Sequence, residues 1–385
     1  MKRTLSYFFI IIFTTVFSIF FALNTQAAPK IIPKAPAIAA KSYILVDYNS
    51  NKVIAQNNAD MAVAPASITK VMTAYVVFSE LEQGNIKLSD LVTVSKKAWK
   101  TQGSRMFIKV NSKVSIEDLL QGMIIQSGND ASVALAEHIA GSEDTFAALM
   151  NQHAQELGMK NSNFLNSTGL PDPNHKTSAT DLAILAHALI KKFPQYYKWY
   201  STKEFTYNNI KQPNRNTLLW RDNTVDGMKT GHTEDAGYCL LSSAKRDNMR
   251  LISVVLGTDS VNARAQETQK LLNFGFRFYE SHIVYPAGKA LKNVRIYKGR
   301  SQQLPIGVAK NLAVIIPRGQ YKNLKPSINI NTSLIAPVSK GQQLGKVEMR
   351  LNGKLLSSSP LIALKTIEEG SLWQQAKDSA LMMLE

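Results

Sequence analysis

The apolar pattern changes character near Val225, and that change limits the folds open to the chain. From 65 to 192 apolar residues recur at the helical period over several long stretches; in 180–191, Leu182, Leu185, Ala186 and Leu189 share one face. Beyond it, 225–230, 237–244 and 250–256 read as strands, the last two joined by a turn at Arg246-Asp247-Asn248. A helix follows over 263–279. Ahead of the helical block, 42–46 and 52–55 flank Asp47-Tyr48-Asn49-Ser50-Asn51 as a hairpin. Strands, helical block, strands, helix: this order predicts an α+β domain, one antiparallel sheet with helices packed against it.

Around Val284-Tyr285-Pro286-Ala287-Gly288 the pattern changes again. Residues 289–367 are short strand-like runs with turn signals such as Leu351-Asn352-Gly353-Lys354, which predicts a small all-β domain. The segment 371–385 sets Trp373, Ala376, Ala380 and Met383 on one helical face. That face suits an interfacial membrane helix or a helix packed on its own domain, and the segment lacks the cationic face that would choose between them.

The start of the chain is a targeting segment. Lys2 and Arg3 precede an apolar run, 7–23, and the small-residue exit Asn24-Thr25-Gln26-Ala27-Ala28-Pro29. This reads as a secretory signal peptide cut after Ala27, because a cut directly before Pro29 is unfavourable. An uncleaved anchor is the alternative, since the run approaches membrane-spanning length. The expected organisation is a signal peptide over 1–27, a Pro/Ala/Lys linker over 28–40, a large domain over 41–282, a β-domain over 283–367 and a candidate membrane-anchoring helix over 368–385.

Removing 1–27 takes Lys2 and Arg3 and lowers the formal net charge from +17 to +15. So basic a chain favours polyanions, and export leaves anionic lipid or cell wall, not nucleic acid, beside the plain alternative of a solvated basic surface. Cys239, the single cysteine, excludes an internal disulfide and reads as a buried, inert thiol in a strand.

Three short elements carry chemistry. In Pro65-Ala66-Ser67-Ile68-Thr69-Lys70-Val71, Pro65 suits a helix start, and Ile68, Val71, Met72, Tyr75 and Val76 form the core face. Ser67 and Lys70 then share another face, roughly 60° apart. A serine hydroxyl needs an adjacent base, and a lysine serves only if desolvation or nearby positive charge lowers its pKa. A second Ser-x-x-Lys, Ser242 and Lys245, lies in strand-like sequence, where the pair falls on opposite faces. Ser127-Gly128-Asn129-Asp130 offers a hydroxyl and an amide on an exposed loop, or only a helix N-cap. A similar Ser327-Ile328-Asn329 lies in the β-domain. Lys229-Thr230-Gly231-His232 ends a strand; its lysine and threonine suit a substrate carboxylate, and Gly231 allows a ligand backbone close approach. No His-Glu-x-x-His pattern occurs, so no metal is expected, and no Gly-x-Ser-x-Gly elbow occurs.

Ser-x-x-Lys, Ser-x-Asn and Lys-Thr-Gly, in this order and about sixty and then about a hundred residues apart, resemble the signature of penicillin-binding proteins and serine β-lactamases. More closely, the chain resembles the low-molecular-weight D-alanyl-D-alanine carboxypeptidases of the penicillin-binding protein 5/6 type, serine peptidases of family S11. Residues 123–134, Gly141-Ser142-Glu143-Asp144, Asn214-Arg215-Asn216 with Leu218-Leu219-Trp220, 225–233 and 271–278 carry this likeness, which runs from about residue 40 to the C-terminus. It implies a transpeptidase-type domain with helices on both sides of the sheet, a helical subdomain, and a small β-domain. It also implies removal of the terminal D-alanine from peptidoglycan stem peptides, acylation by β-lactam antibiotics, and a place at the periplasmic face of the cytoplasmic membrane. The roles it implies are acylated nucleophile for Ser67, proton acceptor for Lys70, proton relay to the leaving group for Ser127 and substrate-amide contact for Asn129. Lys229 and Thr230 bind the terminal carboxylate, and the backbone N–H groups of Ser67 and His232 form an oxyanion hole beside Gly231. An endopeptidase shares these motifs, and so does a β-lactamase, although no Glu-x-x-Leu-Asn stretch lies between Ser127 and Lys229. A catalytically dead wall-binding protein would lack Ser67 or Lys70.

Overall fold

The computed structural model describes residues 32–330 and 333–383; the expected signal peptide lies outside them. The strands β1 (Ser42–Asp47), β2 (Val53–Asn57), β3 (Val225–Thr233), β4 (Gly237–Arg246) and β5 (Met249–Thr258) form one sheet in the order β2-β1-β5-β4-β3. Every pairing is antiparallel. The main helices are α1 (Lys70–Gln83), α2 (Asn129–Ala140), α3 (Glu143–Leu157), α4 (Ala179–Lys192) and α5 (Val261–Phe278).

Both faces of the sheet are apolar because strand side chains alternate. Ile44, Val46, Ile252 and Val254 join the main core with Leu182, Leu185 and Leu189 of α4. Leu45 and Leu251 point the other way, where Gly275 of α5 leaves room: a Cβ there would lie 2.5 Å from Leu251. Helices therefore cover both faces. Between sheet and helical subdomain runs α1, buried at every residue from Lys70 to Ser79. A helix buried all round belongs at the centre of a domain. Its Val71, Met72, Val76, Val77 and Phe78 are wholly buried, each burial contributing roughly 1.5–3 kcal/mol. The alternation also separates the second Ser-x-x-Lys: Ser242 is buried, and Lys245 is exposed.

The strand Tyr279–Tyr285 spans the expected boundary at 282/283 and pairs with Leu312–Pro317. Beyond it, a six-stranded sheet closes over a second core that includes Val294, Leu304, Ile306, Val347 and Leu361. Its hairpin Gln343–Leu351/Lys354–Ala363 turns at Asn352 and Gly353, with φ 50° and 84°. Two positive φ values are what a tight two-residue hairpin requires, and Asn-Gly supplies them cheaply. Ser327-Ile328-Asn329 lies in this domain, in the edge strand Leu324–Ile330. The last helix, Leu372–Met382, is tied to it by buried Asp378, whose carboxylate accepts the Lys298 N–H and the Gln374 amide. Trp373, Ala376, Ala380 and Met383 all face outward.

Candidate active site

The helix that carries Lys70 begins with a tight 3-10 turn, Ala66–Thr69, which sets Ser67 half-buried at its mouth. Ala66 takes φ 47°, an uncommon choice for a residue with a side chain. Gly231 of β3 lies against this turn: a Cβ there would meet Pro65 O at 3.0 Å and Ala66 Cβ at 3.2 Å. Gly231 thus lets the 65–68 turn pack closely on the strand, which sets Ser67 beside the strand edge.

Lys70 is 1% exposed. Its Nζ donates to Ser67 Oγ at 3.1 Å, Asn129 Oδ1 at 2.6 Å and Thr168 O at 2.6 Å. Burial, and after it the Arg215 guanidinium, lowers its pKa to about 7, against the opposing charges of Asp130 and Glu143. The partial desolvation expected from Ile68, Val71 and Ala74 is in fact complete. Near neutral pH this amine spends much of its time with a free lone pair, the condition for taking the Ser67 proton.

Ser127 follows a π-helical turn, Gly122–Gln126, with φ 70°. Lys229 Nζ reaches it at 2.9 Å and also donates to Thr230 O at 3.0 Å. Burial, then Lys70, Arg215 and Arg264, holds Lys229 well below the usual lysine range. The exposed loop expected at 127–130 is buried instead: Ser127, Asn129 and Asp130 are 2%, 4% and 1% exposed. The reason is hydrogen bonding. Asn129 Nδ2 donates to Gln102 O, and the Asp130 carboxylate accepts the N–H groups of Met106, Phe107 and Ile108. The segment is not a side-chain N-cap either, since Gly128 occupies that position.

Ser67, Ser127, Thr230, Gly231 and His232 line a cavity of about 240 Å³, together with Ser104, Arg215, Tyr238, Val261 and Arg264. Two arginines and no carboxylate line it, so it favours an anionic ligand. The His232 ring stacks on Tyr238 at 4.0 Å, and both residues line the cavity. Cys239 is buried behind the strand, and burial pushes its thiol up to about 11.

Residues 29–260 match the family model for D-alanyl-D-alanine carboxypeptidase. The chain belongs to that family. Residues 279–369 match a second model, the C-terminal domain of penicillin-binding protein 5. The chain is 44% identical over 376 residues to the D-alanyl-D-alanine carboxypeptidase DacC of Escherichia coli, covering 96% of this chain and 94% of that protein. It is 44% identical to penicillin binding protein 5 from Haemophilus influenzae, whose crystal structures superpose with a TM-score of 0.84 over 88% of this chain and 100% of that one. Penicillin-binding protein D2 from Listeria monocytogenes, solved in an ampicillin-bound form, is 27% identical over 63% of this chain and 100% of that one, with a TM-score of 0.58.

Within this carboxypeptidase fold the Ser-x-x-Lys, Ser-x-Asn and Lys-Thr-Gly residues converge on one cleft. Sequence reasoning missed Arg215, Arg264 and Thr168. Arg215 stands in the Asn214-Arg215-Asn216 stretch that carries the family likeness, so a signal for it existed. Arg264, on α5, donates to Gly231 O at 3.2 Å. Thr168 contributes only its carbonyl, which no side-chain pattern announces.

Proposed function

We propose that this protein is a serine D-alanyl-D-alanine carboxypeptidase that removes the terminal D-alanine of peptidoglycan stem peptides. Ser67 Oγ bonds to the carbonyl carbon of the scissile bond while its proton passes to Lys70 Nζ. The backbone N–H groups of Ser67 and His232 hold the oxyanion. The C–N bond then breaks as the proton held by Lys70 passes by way of Ser127 to the departing amine, and water hydrolyses the ester, its second hydrogen restoring the Ser67 hydroxyl. Asn129 holds the substrate amide. Lys229 and Thr230 take the terminal carboxylate.

The observation that carries this reading is the contact of Lys70 Nζ with Ser67 Oγ at 3.1 Å, in a site where burial has brought the amine to a pKa of about 7. The anion-favouring cavity supports it, since the substrate ends in a carboxylate. Penicillin would acylate Ser67 in the same way. We place the protein outside the cytoplasm, at the periplasmic face of the membrane, held there by the outward apolar face of Leu372–Met382. Among the described residues no helix is long and apolar enough to cross a membrane.

Mass spectrometry after brief exposure to benzylpenicillin tests the reading. An adduct on the Ser67 peptide, absent in Ser67→Ala, and D-alanine release from a pentapeptide are the expected results. Rapid drug turnover with no accumulated adduct would point to a β-lactamase instead.

A further inference from the structure

Gly141-Ser142-Glu143-Asp144 carries part of the family likeness, yet none of the roles above uses it. Ser142 caps α3 by accepting the Thr145 N–H. Glu143, the next residue, turns inward and is 9% exposed. Its Oε1 accepts the N–H and the hydroxyl of Ser167, at 3.1 and 2.8 Å. Its Oε2 pairs with Lys97 Nζ at 2.9 Å. Ser167 O accepts from Thr73 Oγ1 at 2.7 Å, nearly one turn along α1 from Lys70. The next carbonyl, Thr168 O, is the one that Lys70 Nζ contacts at 2.6 Å. A continuous chain of bonds therefore runs from the Lys97 ammonium to the amine beside the nucleophile.

We propose that Glu143 and Lys97 act as a positioning pair for Lys70: Glu143 anchors Ser167 so that Thr168 O holds the amine against Ser67, and Lys97 balances the buried carboxylate. The inference rests on Lys70 being the proton acceptor. A carboxylate that only braced the loop would serve by its hydrogen bonds alone. Glu143 also acts by charge, since it is among the groups that raise the affinity of Lys70 for its proton. The groups facing Lys70 are Asp130 and Glu143 on the negative side, Arg215 on the positive, and Lys229, whose own charge burial disfavours. His175, which bonds Thr69 Oγ1 at 2.9 Å, is held neutral by burial, with a pKa of about 4.

The two partners then have opposite signatures. Glu143→Gln removes a negative charge and leaves Lys97 unbalanced, so Lys70 loses its proton more readily. Lys97→Met leaves the carboxylate unbalanced, so Lys70 keeps its proton to higher pH. The experiment is the pH dependence of the acylation rate constant with benzylpenicillin. Glu143→Gln should move the acid limb to lower pH and Lys97→Met to higher pH, each by roughly half a pH unit, about threefold in rate on the limb. Lys97→Arg should keep the wild-type limb. Unmoved limbs, or limbs that move the same way, overturn the proposal. If Glu143→Gln does not fold, Lys97→Met decides alone, because its ammonium lies at the half-exposed end of the pair (side chain 56% exposed). Lys70→Ala separates the two levels. If it acylates at the wild-type rate, the proton-acceptor reading falls and this inference with it; if it is inert while both limbs stay unmoved, this inference alone falls.

Discussion

Lys229 Nζ donates to Ser127 Oγ over 2.9 Å, although the two residues stand 102 positions apart. The contact fixes the Ser127 oxygen and leaves its hydroxyl hydrogen free to be donated elsewhere. Replacing Lys229 with Ala removes the donor, and should lower the acylation rate by about 10²–10⁴-fold. Stopped-flow measurement with a chromogenic β-lactam checks this. A wild-type rate would mean that Ser127 works without Lys229.

Acylation should depend on pH through Lys70. Its pKa is lowered to about 7, chiefly by burial. The neutral amine is the active form, so the rate rises as pH increases through about 7 and falls below it. Arg215→Ala removes a positive charge that favours deprotonation, and should shift this limb to higher pH.

Gly169 has φ 82°, and a Cβ there would lie 1.8 Å from Ala66 O. No side-chain movement relieves a clash with backbone. Gly169→Ala should therefore cost more than the left-handed penalty alone, which is about 1–2 kcal/mol. It should also slow acylation, because Thr168 O moves with its neighbour. Denaturant unfolding and the acylation rate measure the two effects separately.

Asp130 accepts three consecutive backbone N–H groups, from Met106 at 3.0 Å, Phe107 at 3.0 Å and Ile108 at 3.3 Å. Asp130→Ala strands those donors, at roughly 1–3 kcal/mol for each buried group left unsatisfied. The stability loss should come with faster proteolysis between 102 and 110, since these bonds hold 106–108 while Asn129 and Gln212 hold 102–105. Cleavage at the wild-type rate would place the restraint elsewhere.

The outward face of Leu372–Met382 predicts lipid binding. Trp373 is 81% exposed and Met383 86%, and aromatic and apolar side chains on such a face insert at the headgroup boundary. Trp373→Glu should weaken sedimentation with anionic vesicles while leaving acylation unchanged. Equal sedimentation of both proteins would remove this helix from the attachment.

Local order was legible in the sequence wherever one segment determines its own geometry. A spacing of three residues brought Ser67 and Lys70 together, although across a 3-10 turn and not along the α-helix expected from Pro65, and Ile68, Val71 and Met72 are buried as their spacing predicted. Strand alternation separated Ser242 from Lys245, and Asn352-Gly353 announced its turn through its tolerance of positive φ. The motif order pointed to the family. What the tertiary structure decided is everything that needs two segments at once. Burial of Lys70, and with it the pKa that makes the amine a base, arises only when α2 and the 166–170 loop close over it. The loop at 127–130, expected exposed, is buried because Asn129 and Asp130 find backbone partners at 102–108. Arg264 enters the site because α5 packs on β4 and β5, and Thr168 because its carbonyl, not its side chain, faces the amine. Sequence spacing sets direction within an element; distance, dielectric and charge between elements exist only once the chain has folded.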